Sequence, residues 1–442
     1  MGIAIGFLCA IALFAAEKDS PPPKIELPAA VRPIIDLARA APPEFFAATV
    51  VNLIRGGKIP NRAAQIALLE QAFVAAPQAK EPVRTIAIPG TPPDTREIYR
   101  GKAGELNLDA LSLQSRVLSE LVTVDPTKAR ELFDGIPRPE LDPRTCADPL
   151  IADDSAYYAI AAEIAQSAFN PVEKKQEAHV QFLAAVLSGA QSPIELAPFA
   201  HAIQSVALKP DELQLLLGAL TAKLQNIGAD YRPFAMSANS LASEISSLLD
   251  LAQAQALPVE SLREAFRAYL IAQLNAPRCA PDIGLSRDWL DKFAGADQIK
   301  PAEKKDSFSV EKYFDSGDSK ALAESLIRLR GLNEADRRQQ LPDFLSQFAA
   351  WQPEGAAIDV FHQKAAVLGG LRQIFPLGED HERILKMSLE LLESGSEREA
   401  PAEWLYEVKQ VALGPDAAGL IVQFSKSEDA GLKLYSEMNG NF

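Results

Sequence analysis

The chain has 442 residues, of which 48% are hydrophobic and 23% are charged, so it is long enough and apolar enough to bury a large core. Its net charge of −15 argues against a nucleic-acid partner, because binding to phosphate needs a basic face. The 32 prolines against 24 glycines, together with the scarcity of alternating β-branched and aromatic runs, predict an all-α fold whose helices are separated by prolines.

The N-terminal segment predicts export. Residues 2–16 are an uninterrupted apolar run, and charged residues follow at 17–19. Fifteen helical residues rise about 22 Å, less than the roughly 30 Å hydrocarbon core of a bilayer, which disfavours a spanning anchor. We expect residues 1–16 to be a signal peptide, cleaved near Ala15 or Ala16, and the protein to be periplasmic or extracellular. Contact with the membrane would then be limited to this segment during export. A retained signal anchor and a buried N-terminal helix remain as alternatives.

Residues 17–76 predict helical hairpins. Two amphipathic segments flank the pair Gly56 and Gly57, which is typical of two antiparallel helices joined by a short turn. The text ARAAPPEFFA at 38–47, with GKI at 57–59 and LLEQAF at 68–73, resembles the opening of uncharacterised secreted bacterial helical proteins. That resemblance implies helices and no particular activity.

Residues 77–104 interrupt the helical pattern. Five prolines and Gly90 lie in this stretch, and residues 83–88 (VRTIAI) are the nearest approach to a strand pattern in the chain. We expect a solvated linker or a functional loop. The residues that could line a ligand site there are Arg84, Arg96, Tyr99 and Arg100.

The central block, residues 105–296, has the clearest helical periodicity. Its best stripe is Leu213, Leu216, Leu217, Leu220, Leu224 and Ile227. Such a helix needs neighbours to cover its apolar face, and short turns make consecutive helices antiparallel, so we expect an array of antiparallel helix pairs, an α-solenoid or superhelix. The text VDPTKARELF at 124–133 resembles the joint between helices in tetratricopeptide-type repeats, although no period of 34 residues recurs.

The rest of the predicted organisation is a polar linker at 297–320 and a C-terminal helical block at 321–442. Two cysteines, Cys146 and Cys279, flank the central helices and are the only ones left once the predicted signal peptide is removed. An even count in an oxidising compartment predicts a disulfide between them. The alternative is two unrelated thiols.

The sequence contains no recognised motif for metal, nucleotide or nucleophilic chemistry. The four histidines are distant in sequence, so we expect partly exposed or core-edge side chains, with no metal site and no cofactor. They are His179, His201, His362 and His381.

The most chemically suggestive cluster is Asp148, Asp153, Asp154, Tyr157 and Tyr158. Neighbouring carboxylates and tyrosines can perform acid–base catalysis, so the last four are our catalytic candidates. We favour a structural interpretation, in which Asp154 caps a helix, Asp153 lies at the positive end of that helix and the tyrosines pack.

Another candidate surface lies in the C-terminal block. Glu403, Trp404 and Tyr406 could stack against a sugar, but we favour Trp404 as a core residue of an amphipathic helix.

Two classes of function remain. The first is an exported, non-catalytic scaffold that binds a protein or peptide on its concave side in the cell envelope. The second is an enzyme or carrier that acts on cell-wall or other polymeric carbohydrate. An alanine-rich or flat concavity would favour the scaffold, whereas carboxylates about 5–10 Å apart with aromatic rings would favour the enzyme. Partner identity and oligomeric state are not readable from the sequence.

Overall fold

The computed structural model describes residues 26–440, with gaps at 139–140, 142, 280–283, 296–298, 300–303, 306–310, 396 and 415–416. Within these residues the protein is all-α, as predicted, with only four short strands. The predicted signal peptide at 1–16 lies outside the described residues, and the predicted linker at 297–320 lies partly outside them.

The N-terminal helices are α1 (Arg32–Ala40), α2 (Pro43–Arg55), α3 (Arg62–Ala75), α4 (Arg96–Gly104), α5 (Ala110–Val124) and α6 (Pro126–Phe133). The central helices are α7 (Ser155–Ser167), α8 (Pro171–Lys175), α9 (Ala178–Ser188), α10 (Leu196–Ser205), α11 (Pro210–Asn226), α12 (Tyr231–Ala254), α13 (Glu260–Asn275) and α14 (Arg287–Trp289). The C-terminal helices are α15 (Gly317–Gly331), α16 (Glu334–Ala350), α17 (Ala357–Ile374), α18 (Glu379–Glu393), α19 (Pro401–Ala412), α20 (Ala417–Phe424) and α21 (Ala430–Gly440).

The strands form two small sheets. Strand β1 (Arg84–Ala87) pairs antiparallel with β2 (Leu150–Asp153), and β3 (Arg278–Cys279) pairs parallel with β4 (Lys304–Lys305). Short 3₁₀ turns occupy Ala76–Gln78 and Pro193–Glu195, and a π-helical turn covers Leu290–Ala294.

Prolines begin several of these helices, as the sequence suggested. Pro43, Pro126, Pro171, Pro210 and Pro401 are all in the first turn of a helix, where no backbone donor is lost. The predicted apolar stripe of α11 is buried from Leu213 to Leu224, whereas its last member, Ile227, lies just beyond the helix and is half-buried.

Two series of helices run through the centre of the protein. Helices α5, α7, α10 and α12 contact one another in that order, and α9, α11 and α13 do the same. The series also contact each other, α7 with α9, α10 with α11 and α12 with α13, so each covers the apolar stripes of the other. That these series form a curved array of antiparallel pairs stays a prediction.

Residues 77–104 are folded against the body of the protein and are not the solvated linker that the prolines suggested. Strand β1 aligns Arg84 with Asp153 of β2, and α4 packs against both β1 and α19. Ile88, Thr95 and Ala103 are almost fully buried. The prolines end local helices, but tertiary contacts order the chain between them. The positions of the domain boundaries remain a prediction.

The two ends of the described chain share one core. Helix α1 contacts α21, and the ring of Phe45 in α2 lies 6.1 Å from that of Trp404 in α19. One apolar cluster extends from Val31 to Leu434, and a smaller one fills the space among α15, α16, α17 and α18.

The predicted disulfide is present. Cys146 and Cys279 are bonded, with their Cα atoms 5.3 Å apart, and the bond closes a loop that contains α7 to α13. Such a bond is typical of an oxidising compartment. None of the helices in the described part of the chain is both long enough and apolar enough to cross a bilayer.

Candidate functional site

A groove of about 950 Å³ lies along one face of α5, α7, α10 and α12. Each helix contributes side chains at steps of three and four residues, which places them on one stripe. The principal lining residues are Ser112, Ser115, Arg116 and Ser119 of α5, Ala156, Ala159, Ile160 and Glu163 of α7, Ala197, His201, Ala202 and Ser205 of α10, and Met236, Ser237, Ser240 and Glu244 of α12.

Small side chains dominate this groove. Nearly half of its lining residues are alanine or serine, and none of the described residues that line it is phenylalanine, tyrosine or tryptophan. Short side chains leave the helix surfaces open, so another backbone could approach closely and meet hydroxyl groups. Ile86, Ile160 and Met236 add apolar contact area.

One end of the groove is basic. Arg55 is paired with Glu120 at 2.7 Å and Arg84 is paired with Asp153, but Arg116 has no carboxylate within 4.0 Å in the described part of the chain. Among the described residues, the guanidinium of Arg116 donates to the Asn107 carbonyl oxygen at 3.4 Å and to Asn52 Oδ1 at 3.3 Å. Burial, and then the neighbouring Arg55, lower the pKa of Arg116. Because arginine stays protonated even so, this position is a cation that lacks a counter-ion.

Ser115 lies beside that cation. Ser115 lines the groove but is only 6% exposed. Its Oγ has no hydrogen-bond partner among the described residues. A buried hydroxyl without a partner costs about 1–3 kcal/mol. A polar group of a ligand in the groove would remove that cost.

The other end of the groove is acidic. His201 Nδ1 lies 3.3 Å from Glu244 Oε1, and Gln204 Nε2 donates to Glu244 Oε2 at 2.5 Å. The groove is therefore polarised along its length.

The predicted catalytic carboxylates, Asp153 and Asp154, have different surroundings in the structure. Asp153 lines the groove, pairs with Arg84 and accepts a hydrogen bond from the backbone N–H of Ser155 at 2.9 Å. Asp154 is fully buried, and neither of its carboxyl oxygens has a hydrogen-bond partner in the described chain. The expectation that Asp154 caps α7 is wrong, because its side chain is directed into the interior and Asp153 bonds the helix terminus instead.

Asp154 belongs to a buried polar cluster. Arg138 Nη2 lies 3.0 Å from Glu195 Oε2, and the Tyr158 hydroxyl donates to the same oxygen at 2.7 Å. Burial, and then the neighbouring Glu195, raise the pKa of Asp154 well above its ordinary value. The surroundings of Asp154 therefore favour its protonated form.

The predicted packing of the two tyrosines is observed. The Tyr157 ring stacks on Phe133 with centroids 5.1 Å apart, and the Tyr158 ring meets Phe199 edge-on. Asp148 lies apart from this cluster, because its Oδ2 accepts a hydrogen bond from the Thr145 backbone at 2.6 Å.

A second pocket, of about 530 Å³, lies between α4, α17 and α19. Its lining includes Tyr99, Lys102, Arg372, Tyr406 and Glu407. Tyr406, a predicted sugar-stacking residue, therefore does line a cavity, whereas Trp404 is fully buried in the core, as we favoured. Glu403, singled out with Tyr406 in the sequence, is not among the described lining residues of this pocket and lies buried beside Arg96.

His362 lies behind the second pocket. It is fully buried and not at the core edge as expected, and the Tyr99 ring stacks on it with centroids 4.5 Å apart. His362 Nε2 is 3.4 Å from Glu403 Oε2, yet burial and then Arg96 lower the pKa of His362 to about 3, so the imidazole is neutral.

The other histidines differ in exposure. His201 is exposed, whereas His179 and His381 are buried. In the described part of the chain, no group of three or more His, Cys, Asp or Glu residues is arranged to hold a metal ion.

No protein-family model, curated protein or solved structure matches this chain. The resemblances to secreted helical proteins and to tetratricopeptide joints therefore stay predictions. A function has to be argued from the groove and the pocket themselves.

Proposed function

We propose that the protein is an exported, non-catalytic scaffold whose groove binds an extended, acidic segment of a partner protein in the cell envelope. The observation on which this rests is the groove itself, which crosses α5, α7, α10 and α12 and in which alanine and serine supply nearly half of the lining residues. Helical-repeat proteins bind peptides on surfaces of this kind.

The lining favours a peptide over a glycan. An extended peptide presents backbone donors and acceptors along its length, and the serine hydroxyls of α5, α10 and α12 can meet them. Glycan-processing sites use paired carboxylates and aromatic rings, and no phenylalanine, tyrosine or tryptophan occurs among the described lining residues of this groove.

The inference that the partner segment is acidic comes from Arg116. A carboxylate of the bound segment would supply the counter-ion that Arg116 lacks, and the same group or an adjacent one would bond Ser115 Oγ. A charge-assisted contact of this type in a partly desolvated site contributes about 1.5–3 kcal/mol.

Export is the part of this proposal that rests on the sequence and the disulfide. The apolar run at 2–16 predicts a signal peptide, and the bond between Cys146 and Cys279 is of the kind that persists in oxidising compartments.

The groove can be tested with selected peptides. Purified protein comprising residues 17–442 would be used to select from a random peptide display library, and enriched peptides would be measured by fluorescence anisotropy. We expect enrichment of sequences with an acidic residue. Arg116→Ala should weaken binding about 10–100-fold, because it removes a charge-assisted contact worth about 1.5–3 kcal/mol.

A matched pair of tryptophan variants locates the binding surface. Ala159→Trp fills the groove from α7 and should abolish binding, whereas Ala268→Trp places the same side chain on the exposed face of α13 and should not change it. Equal affinity of the wild type and Ala159→Trp, or selection of no peptide while the protein degrades a glycan, would overturn the proposal.

A further inference from the structure

We propose that the pocket between α4, α17 and α19 is a second, independent ligand site that binds a small molecule bearing an oxyanion. The oxyanion of this ligand would be either a carboxylate, as on a sugar acid, or a phosphate group. This inference does not depend on the peptide groove, since the two cavities have no lining residue in common.

Three cations line this pocket, and each lacks a carboxylate within 4.0 Å in the described chain. Arg372 Nη1 donates to Ser388 Oγ at 2.7 Å, and Arg330 Nη2 donates to Gln373 Oε1 at 3.3 Å. Lys102 is exposed at the mouth, with its Nζ 5.9 Å from the centroid of the Tyr406 ring. Three unpaired positive charges around one concavity produce a potential that favours an anion.

The acid inside the pocket does not neutralise these cations at mildly acidic pH. Glu407 is 5% exposed and makes no hydrogen bond or ion pair with the described residues. Burial raises the pKa of Glu407 to about 7, although Arg372 and Lys102 oppose the shift. Below that pH the carboxyl group holds a proton and can donate it to a bound oxyanion.

The remaining groups that face Glu407 come from the neighbouring helices. Tyr99 of α4 and Tyr406 of α19 lie edge to face with centroids 6.2 Å apart, and His381 of α18 lines the same pocket with its Nδ1 2.8 Å from the Phe375 carbonyl oxygen. The tyrosine rings offer a flat face to the body of an organic ligand. Together with the cations they favour an organic anion of modest size, because ligand pockets typically have volumes of about 300–1,000 Å³.

Isothermal titration calorimetry of the full mature chain at pH 6 tests the site with three probes: galacturonic acid, inorganic phosphate and neutral galactose. We expect galacturonic acid or phosphate to bind and galactose not to bind. Binding of galacturonic acid alone would assign a sugar acid, and binding of phosphate would assign a phosphate-bearing ligand. Lack of binding by both anions, or equal binding of galactose, would overturn the proposal.

One variant and a matched control connect binding to the pocket. Lys102→Gln, at an exposed position that folding does not require, should weaken binding at least several-fold, while Arg383→Gln on the exposed face of α18 should leave it unchanged. An unaltered affinity in Lys102→Gln would exclude this pocket as the site.

The pH dependence distinguishes this site from a merely basic surface. The affinity of the wild type for its anion should fall between pH 6 and pH 8, because ionised Glu407 repels the ligand and no longer donates a proton. Galacturonic acid stays ionised over this range and is the suitable probe. Glu407→Gln should remove the difference between the two pH values; a difference of the same size in that variant would contradict the role of Glu407.

Discussion

Asp154 shows how much a single side chain in this protein depends on its surroundings. Asp153 and Asp154 are adjacent in sequence, yet one pairs with Arg84 at the groove and the other is enclosed beside Glu195. Adjacent residues at the end of a strand point to opposite sides, so local sequence cannot tell which carboxylate will be buried. His362 and Glu407 lie on helices, and their burial depends on which elements pack against α17 and α19, which the sequence does not show.

The raised pKa of Asp154 has a consequence for stability. An acid whose pKa is higher in the folded state stabilises the fold fully below its ordinary pKa, and this contribution is lost as the pH rises through the raised value. Asp154→Asn replaces the acid by a neutral amide and therefore removes this loss of stability at high pH. We expect the variant to match the wild type near pH 4 and to exceed its free energy of unfolding by about 1–3 kcal/mol at pH 8.

Urea denaturation of both proteins at the two pH values measures this difference. Asp250→Asn, on the exposed face of α12, is the matched control and should show no such pH-dependent gain. If Asp154→Asn were less stable than the wild type at pH 8, Asp154 would have to be ionised and paired.

At the scale of elements, the packing of α4 against β1 depends on two glycines. A Cβ at Gly101 would lie 2.6 Å from the Ala87 Cβ and 2.9 Å from its backbone nitrogen, and a Cβ at Gly104 would lie 2.5 Å from the Thr85 carbonyl oxygen. These contacts are with backbone and with a short side chain, so neither neighbour can move away easily. The glycines therefore bring α4 close enough to hold Tyr99 and Lys102 at the second pocket.

Gly101→Ala should destabilise the protein by about 1–3 kcal/mol, because the added methyl group forces α4 away from β1. Gly218→Ala in α11 is the control: a Cβ there meets nothing within 4 Å, so the same substitution should stabilise by about 0.5–1 kcal/mol through helix propensity alone. Thermal unfolding would measure both effects, and a neutral Gly101→Ala would mean that α4 and β1 are not tightly packed.

On the scale of the whole molecule, the disulfide and the continuous core act together. The bond between Cys146 and Cys279 encloses helices α7 to α13, and the apolar cluster continues on both sides of that loop, from α1 to α21. The chain therefore has a covalent link across its middle in addition to a core that joins its two ends.

Replacing both cysteines by serine should lower the free energy of unfolding. For a loop with a sequence separation of 133, the chain-entropy model gives a loss of roughly 4–5 kcal/mol, and measured losses are often smaller. Denaturant titrations with and without a reducing agent would measure it. The reductant should destabilise only the wild type; equal stability of oxidised wild type and the double variant would show that the bond contributes nothing.

The sequence by itself determined the features that depend on local periodicity and on counting. Steps of three and four between apolar residues predict helices because the α-helix repeats every 3.6 residues, and a pair of flanking cysteines predicts a disulfide once an oxidising compartment is assumed. The stripe of α11 and the bond between Cys146 and Cys279 were predicted correctly on these grounds.

Tertiary structure alone decided the rest. The groove exists because the small-residue faces of four helices meet, and the second pocket because α4, α17 and α19 converge from distant parts of the chain. Strand β1 and helix α4 are likewise ordered by contacts with β2 and α19. They lie in a stretch whose prolines predicted a linker or loop. Periodicity shows which face of a helix is apolar, but it does not show which helices pack against that face. The burial of each side chain, its charged neighbours and its pKa depend on that packing.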